Sequence, residues 1–345
     1  MEARGSDITA RRARADLIMR WANEAIERTH RVAALLVVAS VLSVGAVIGI
    51  GWIAGPHSVA HRLIHLQWEW IPVMLACEAA AYLGYVLAYR AVARAEDGAE
   101  LRLPEAAALV ATGFGVFVLA GGFVLDREGL RRAGLTAKEA RERVLGLGAL
   151  EYVVLAPAAA VAAGFALLED GVSPGLTLPW LIGVPAGGVL AAVAIVCHDR
   201  IAGRGAIRRR LDHALSALQL ILRMALRPRL HWQAFAGITL YWLADITCLW
   251  SALHVFSAGS PPVAQLILGY ATGYALTRRT LPLGGAGVVE ALLPLSLAWV
   301  GLTLAPALLA VVLYRIANLW LPVIPALAGI PHLRRLGRRA SHLRA

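Results

Sequence analysis

Residues 304–330 read LAPALLAVVLYRIANLWLPVIPALAGI, an apolar run long enough to cross ~30 Å of hydrocarbon and broken near its centre by one cation, Arg315. An unpaired guanidinium at that depth costs at least ~2.5 kcal/mol, so the run calls for a membrane and for an acidic partner. Further apolar runs lie at about 32–54, 71–89, 105–125, 144–168, 176–197, 233–256, 263–277 and 288–300. Backbone N–H and C=O groups in lipid must be paired, and a helix pairs them locally; the alternating pattern of barrel strands is missing. The expected fold class is therefore all-α, a polytopic integral membrane helical bundle. Composition agrees, because 59% of the 345 residues are hydrophobic and 16% charged, against about 25% charged in soluble domains. That excludes an ordinary soluble protein and leaves little chain for a separate globular domain.

The formal net charge of +11 is carried almost wholly by arginine, with Lys138 the single lysine. These arginines lie between apolar runs rather than on one soluble face, so anionic lipid headgroups are the expected partners and nucleic acid is not. Segment 199–231 holds eight arginines against two aspartates, and the tail 331–345 holds five arginines and no acid. Both are expected to be cytoplasmic, whereas 169–175 and the uncharged 257–262 are expected outside. Nine crossings from a cytoplasmic N-terminus conflict with that pattern, because they would export the six basic residues of 126–143 and the tail. The conflict disappears if 105–125, weakened by Gly113, Gly115, Gly121 and Gly122, enters and returns on one side. The expectation is eight spans plus this re-entrant or broken helix, with residues 278–287 near the cytoplasmic face.

Residues 1–31 form an expected cytoplasmic amphipathic segment, 32–330 a single transmembrane domain, and 331–345 a basic cytoplasmic tail. The run from Val32 starts too late and is too long for a cleavable signal, so it is expected to be retained. Within 200–230, Ile207, Leu211, Leu215, Leu218, Leu222 and Leu226 recur at helical spacing opposite Arg204, Arg208 and Arg209. This reads as a basic cytoplasmic interfacial helix, or as a helix docked on the bundle.

The strongest local motif is Arg278-Arg279-Thr280-Leu281-Pro282-Leu283-Gly284-Gly285-Ala286-Gly287-Val288-Val289-Glu290. Pro282 stops a helix, the glycines turn the backbone, and a new helix opens with free N–H groups facing any nearby anion. Arg278, Arg279, Gly284, Gly285, Gly287, Glu290 and Arg315 are the candidate headgroup-binding residues; the competing reading is a plain interhelical turn. Glu290 is the first candidate partner for Arg315, with Glu78, Glu151 and Asp245 as possible polar partners. His57, His61 and His65 share one helical face, but no carboxylate completes a metal set, so neither metal nor cofactor is expected. Gly171-Val172-Ser173-Pro174-Gly175 matches a nucleophile elbow in letters alone, since no strand precedes it. No catalytic residue is assigned. Cys77, Cys197 and Cys248 sit in apolar runs as packing residues. Gly45/Gly49, Gly183/Gly187 and Gly269/Gly273 suit close helix approach, inside the chain or in a homo-oligomer.

The turn 281–291, then Gly301-Leu302-Thr303, Leu313-Tyr314-Arg315-Ile316 and Trp320-Leu321-Pro322, resembles the lysylphosphatidylglycerol synthase transmembrane region, also called the flippase-like domain family. The family's first-half glycine-arginine-glutamate element corresponds to Gly121-Gly122-Phe123-Val124-Leu125-Asp126-Arg127-Glu128, which departs from the usual pattern. Gly134-Leu135-Thr136 echoes Gly301-Leu302-Thr303, compatible with an old internal duplication. The resemblance implies a stand-alone member without the aminoacyl-transferase domain, located in the bacterial inner membrane, where the arginine pattern places both termini on the cytoplasmic side. It implies binding or translocation of an anionic phospholipid or polyprenyl-linked lipid. Two alternatives stay open: a membrane-embedded lipid-modifying enzyme, and a non-catalytic scaffold for a separate transferase or cell-envelope enzyme.

Overall fold

The computed structural model describes residues 37–113, 122–168, 172–197, 206–275 and 285–321, with 34, 324 and 328 as isolated positions. The N-terminal segment 1–31, Arg278, Arg279, Gly284 and the tail 331–345 lie outside the described residues. Those described are helical with no strand, as lipid-exposed backbone requires. The protein is a multi-pass membrane helical bundle. Its helices are α1 (Val37–Ala54), α2 (Pro56–Ile64), α3 (Trp70–Arg94), α4 (Leu103–Gly113), α5 (Gly122–Arg132), α6 (Ala137–Leu168), α7 (Pro174–Val196), α8 (Ala206–Leu226), α9 (Pro228–Val255), α10 (Val263–Tyr270), α11 (Val288–Trp299) and α12 (Leu304–Trp320). Among the described residues five helices, α1, α3, α6, α7 and α9, have the length and hydropathy to cross a membrane alone; α11 and α12 are shorter and apolar.

The central pair is α3 against α9. A Cβ on Gly84 would stand 2.7 Å from the Gly237 carbonyl oxygen, and one on Gly237 would stand 2.6 Å from the Gly84 carbonyl oxygen. Only glycine lets these two backbones touch. Gln67 N–H, just before α3, donates to the carbonyl of Val255 at the end of α9, which fixes the pair as antiparallel. Of the expected close-approach glycines, Gly269 and Gly273 pack on α11, whereas Gly45, Gly49, Gly183 and Gly187 meet nothing within 4 Å in this chain.

Charge divides the bundle into two ends. At one, Arg143 of α6 donates from Nε and Nη2 to the carbonyls of Ala93 and Ala95 at 3.2 and 2.7 Å, and Arg90 Nε donates to Leu101 O at 2.8 Å. Arg223 of α8 pairs with Glu96 there. At the other end, Arg62 Nη1 donates to Ser257 O and Gln67 Nε2 to Ser257 Oγ. The expected grouping of 126–143 with 199–231, away from 257–262, is thus reproduced end by end.

Helices α4 and α5 make a short hairpin. Leu101 before it and Arg143 after it are both held at the C-terminal end of α3, so the hairpin enters and returns at the arginine-rich end. Gly129 of α5 leaves room for Leu109 of α4, and the Tyr82 hydroxyl of α3 bonds the Ala107 carbonyl. This matches the expected re-entrant element, although its tip at 114–121 lies outside the described residues. Where the hydropathy of 263–277 and 288–300 reads as two spans, the chain builds a second pair of short helices. α10 passes into a π turn at Ala271–Ala275, and α11 returns beside it over 12 residues. Leu297 packs on Gly269 and Leu293 on Gly273, the antiparallel pairing of a hairpin. Its open end adjoins the 257–262 loop, since Leu302 contacts the Gly259 position.

Helix α8 buries Leu215, Ala217, Leu220, Ile221 and Met224, but Leu211, Leu222 and Leu226 are exposed. The expected stripe is therefore rotated. Leu220 and Ile221 dock on α6 at Gly146, while Leu211, Leu222 and Leu226 face outward, so α8 packs on the bundle with one apolar face and leaves another exposed. It ends at Leu226, and α9 starts at Pro228 rather than at 233, because proline suits a helix's first turn and not its interior.

Candidate functional site

Helix α12 begins after Thr303, and Arg315 lies roughly 17 Å along it at 1.5 Å per residue. Helix α11 runs the other way into the same turn and carries Glu290 in its first turn, about 14 Å from its far end. Two antiparallel helices of that spacing bring both side chains to one level, roughly halfway through a ~30 Å apolar layer. Arg315 Nε donates to Glu290 Oε1 at 2.9 Å, with Glu290 3% and Arg315 5% exposed. This is the partner anticipated for Arg315.

The other carboxylate oxygen of Glu290 accepts the backbone N–H of Gly287 at 2.7 Å. That is half of a capping box; glycine at the cap has no side chain to supply the other half. Gly285 and Gly287 have φ of 72° and 82°, in the left-handed region that other residues enter only with strain. A Cβ on Gly287 would also stand 3.0 Å from Leu42 Cβ and 3.1 Å from its carbonyl oxygen, so α1 covers the turn. The described part of the turn, 285–287, therefore sits at the inner end of the hairpin, about 18 Å from the Gly301 turn.

Beside the ion pair lies a polar network that sequence reading does not assemble. Asp245 of α9 is fully buried and accepts hydrogen bonds from the hydroxyls of Tyr270 and Tyr314, the latter at 2.8 Å. Asn318 Nδ2 lies 3.3 Å from Asp245 Oδ1 and 3.5 Å from Glu78 Oε1, while Asn318 Oδ1 accepts from the Tyr274 hydroxyl at 3.0 Å. Arg315 Cζ sits 5.8 Å from the Tyr274 ring centroid, within cation–π range. Glu290 thus pairs with the guanidinium, and Asn318 bridges the carboxyls of Asp245 and Glu78 beside it. The pairs Tyr270/Tyr274 and Tyr314/Asn318 are each four apart on a helix; that spacing of polar groups inside apolar runs was the available signal. Glu151 is also buried, and its backbone carbonyl accepts from Trp242 Nε1 at 3.0 Å.

The histidine row runs along α2 to its C-cap His65, with the His61 and His65 rings 5.1 Å apart, and among the described residues no three His, Cys, Asp or Glu side chains gather as a metal set. Ser173 works as a helix cap, its hydroxyl accepting from Gly175 N–H. Cys77, Cys197 and Cys248 are free thiols.

The two Gly-Leu-Thr triplets make the same turn. Gly134 and Gly301 have φ of 107° and 98°. Leu135 N–H donates to Leu130 O and Gly134 N–H to Arg131 O; Leu302 N–H donates to Leu297 O and Gly301 N–H to Ala298 O. Each is a Schellman closure followed by a threonine opening the next helix. The first joins α5 to α6 at the arginine-rich end, and the second joins α11 to α12 at the opposite end. Short hairpin, Schellman turn and following helix therefore occur twice with inverted direction. The ion pair occurs in the second copy. In the first, Phe123 stands where Glu290 stands in the second, counting back from the glycine, and Gly148 stands in the place of Arg315.

A family model described as the lysylphosphatidylglycerol synthase TM region matches residues 32–326. The chain belongs to this family. No curated protein matches it. The matched span contains both hairpins, the glycine turn, the Glu290 and Arg315 pair and the Asp245 network, so the whole membrane bundle is the family's domain. It confirms the resemblance carried by the 281–291 turn and the Tyr314-Arg315 pair.

Proposed function

We propose that the protein binds or translocates an anionic phospholipid or polyprenyl-linked lipid, in the bacterial inner membrane with its arginine-rich end cytoplasmic. The carrying observation is a buried ion pair hung on a glycine turn at the inner end of a broken hairpin. Interrupted helices at membrane depth present free backbone N–H groups to an anion, and inverted repeats supply two alternative arrangements around such a site. The headgroup phosphate meets the amides of Gly284, Gly285 and Gly287 with Arg278 or Arg279, and competes with Glu290 for Arg315. The pair is closed here, so headgroup entry requires α1 and the hairpin to part. Glu78 and Asp245 supply the polar surroundings; Glu151 lies on the first-repeat helix α6.

The test is reconstitution into liposomes holding fluorescent phosphatidylglycerol or phosphatidylcholine, with bilayer crossing followed by quenching of the outer leaflet. The wild-type protein accelerates crossing of the anionic lipid. Arg315→Leu slows it by at least about tenfold, the loss of one charge-assisted hydrogen bond of ~1.5–3 kcal/mol. Equal rates for wild type, variant and empty liposomes overturn the proposal.

A further inference from the structure

At the arginine-rich end, away from the ion pair, a pocket of about 340 Å³ is lined by Arg90, Arg94, Glu100, Leu101 and Arg102. Its walls are built rather than incidental. α3 stops at Arg94, and the chain turns back through Glu96 and Asp97, both with positive φ (52° and 55°). Arg143 clamps that turn through the Ala93 and Ala95 carbonyls, and Gly98 admits the guanidinium, since a Cβ there would stand 2.6 Å from Arg143 Nη2. Arg90 spends its Nε on the Leu101 carbonyl, and its side chain lines the pocket. Beyond the pocket, Arg102 N–H is held by Glu105, a buried carboxylate at the start of α4.

Three guanidiniums thus surround one cavity with Glu100 as the one acidic lining residue. Among the described residues no acidic side chain forms an ion pair with Arg90, Arg94 or Arg102. Nearby, Arg223 shows the alternative, its charge neutralised by Glu96. Guanidiniums that outnumber the lining carboxylate three to one on a fixed scaffold suit a phosphate, whose oxygens accept several N–H groups at once. The volume exceeds one phosphate and is in the range of small-ligand pockets. Its place beside the end of a membrane helix puts a bound phosphate at headgroup level.

We infer that this pocket is a phosphate-binding site distinct from the Glu290 and Arg315 pair, occupied by the headgroup phosphate of an anionic lipid. The inference stands without the transport reading.

The full chain in nanodiscs of phosphatidylcholine doped with phosphatidylglycerol, analysed by native mass spectrometry, reads retained anionic lipid. Arg94→Gln with Arg102→Gln changes two exposed side chains and lowers retention by about tenfold or more, since each removes a charge-assisted contact. Glu100→Gln removes the opposing carboxylate and raises retention, a gain that misfolding cannot mimic. Inorganic phosphate added to the wild type distinguishes the ligand's source. Displacement of the lipid by competing levels of phosphate identifies a site serving free phosphate as well, whereas no displacement identifies a lipid-headgroup site. Retention unchanged in both the double variant and Glu100→Gln overturns the inference. Lipid crossing by the wild type is a separate readout: intact binding here with no crossing leaves this site standing and sinks the transport proposal alone.

Discussion

Removing either member of the Glu290 and Arg315 pair leaves its partner charged and buried, whereas removing both leaves no charge behind. The two side chains are 3% and 5% exposed and meet at 2.9 Å, so water does not screen them. Breaking a buried pair from one side costs about 3–5 kcal/mol, while replacing both partners by groups of similar volume is close to neutral. Glu290→Gln keeps an oxygen for the Gly287 N–H and so isolates the charge; Arg315→Met keeps most of the apolar stem. Thermal unfolding of detergent-purified protein, followed through its ten tryptophans, reads the cycle. At about 2–4 °C per kcal/mol, the scale for domains of ~200 residues, each single variant falls by on the order of 6 °C or more. The double variant recovers to within about 3 °C of wild type on the same scale. Single variants as stable as wild type, or a double variant losing the sum of both, would refute a tightly coupled buried pair.

Three further outcomes follow from packing and hydrogen bonding. Gly84→Val drives a side chain into the α9 backbone and destabilises by several kcal/mol, on the order of 3 or more, whereas Gly183→Val meets open space and shifts Tm by no more than about 1 °C; comparable melts for the two would contradict the crossing geometry. Asp245→Asn asks one amide oxygen to serve donors that two carboxylate oxygens share, and places an NH₂ among them, a loss of about 1–3 kcal/mol in the same melt. Unchanged stability there would mean the network is not formed. Arg143→Ala frees the Ala93 and Ala95 carbonyls and loosens 95–102, so limited proteolysis should cut there several times faster than in wild type; equal cutting would show that the clamp is dispensable.

What the sequence made readable depends on distance along the chain. Glu290 and Arg315 lie at similar distances on either side of a Gly-Leu-Thr turn, so helix rise alone brings them level. The acid opening one helix and the cation centred in the next were therefore legible as a pair. The first hairpin was legible because a charge conflict required it. The second was not, for hydropathy measures how apolar 263–277 and 288–300 are and says nothing of how deep each helix goes. Asp245, Tyr270, Tyr314 and Asn318 come from three helices, and each is a single polar letter in an apolar run. Gly84 and Gly237 escaped notice because their contact is across two helices, while Gly45/Gly49 and Gly183/Gly187, with the familiar spacing, face open space. The apolar positions of α8 were correctly located, but two of its faces are apolar, and periodicity did not choose the one that packs against protein.

Under the proposed function a lipid phosphate reaches the glycine turn at Glu290. Photocrosslinking tests it most directly, using phosphatidylglycerol with a photoreactive headgroup, the protein in nanodiscs, and mass spectrometry of the adducts. Adducts on the peptides bearing Gly285–Glu290 and Arg315, abolished by excess unlabelled phosphatidylglycerol, are the result expected. Adducts confined to outward-facing residues of α1 and α7, and insensitive to competitor, would contradict it.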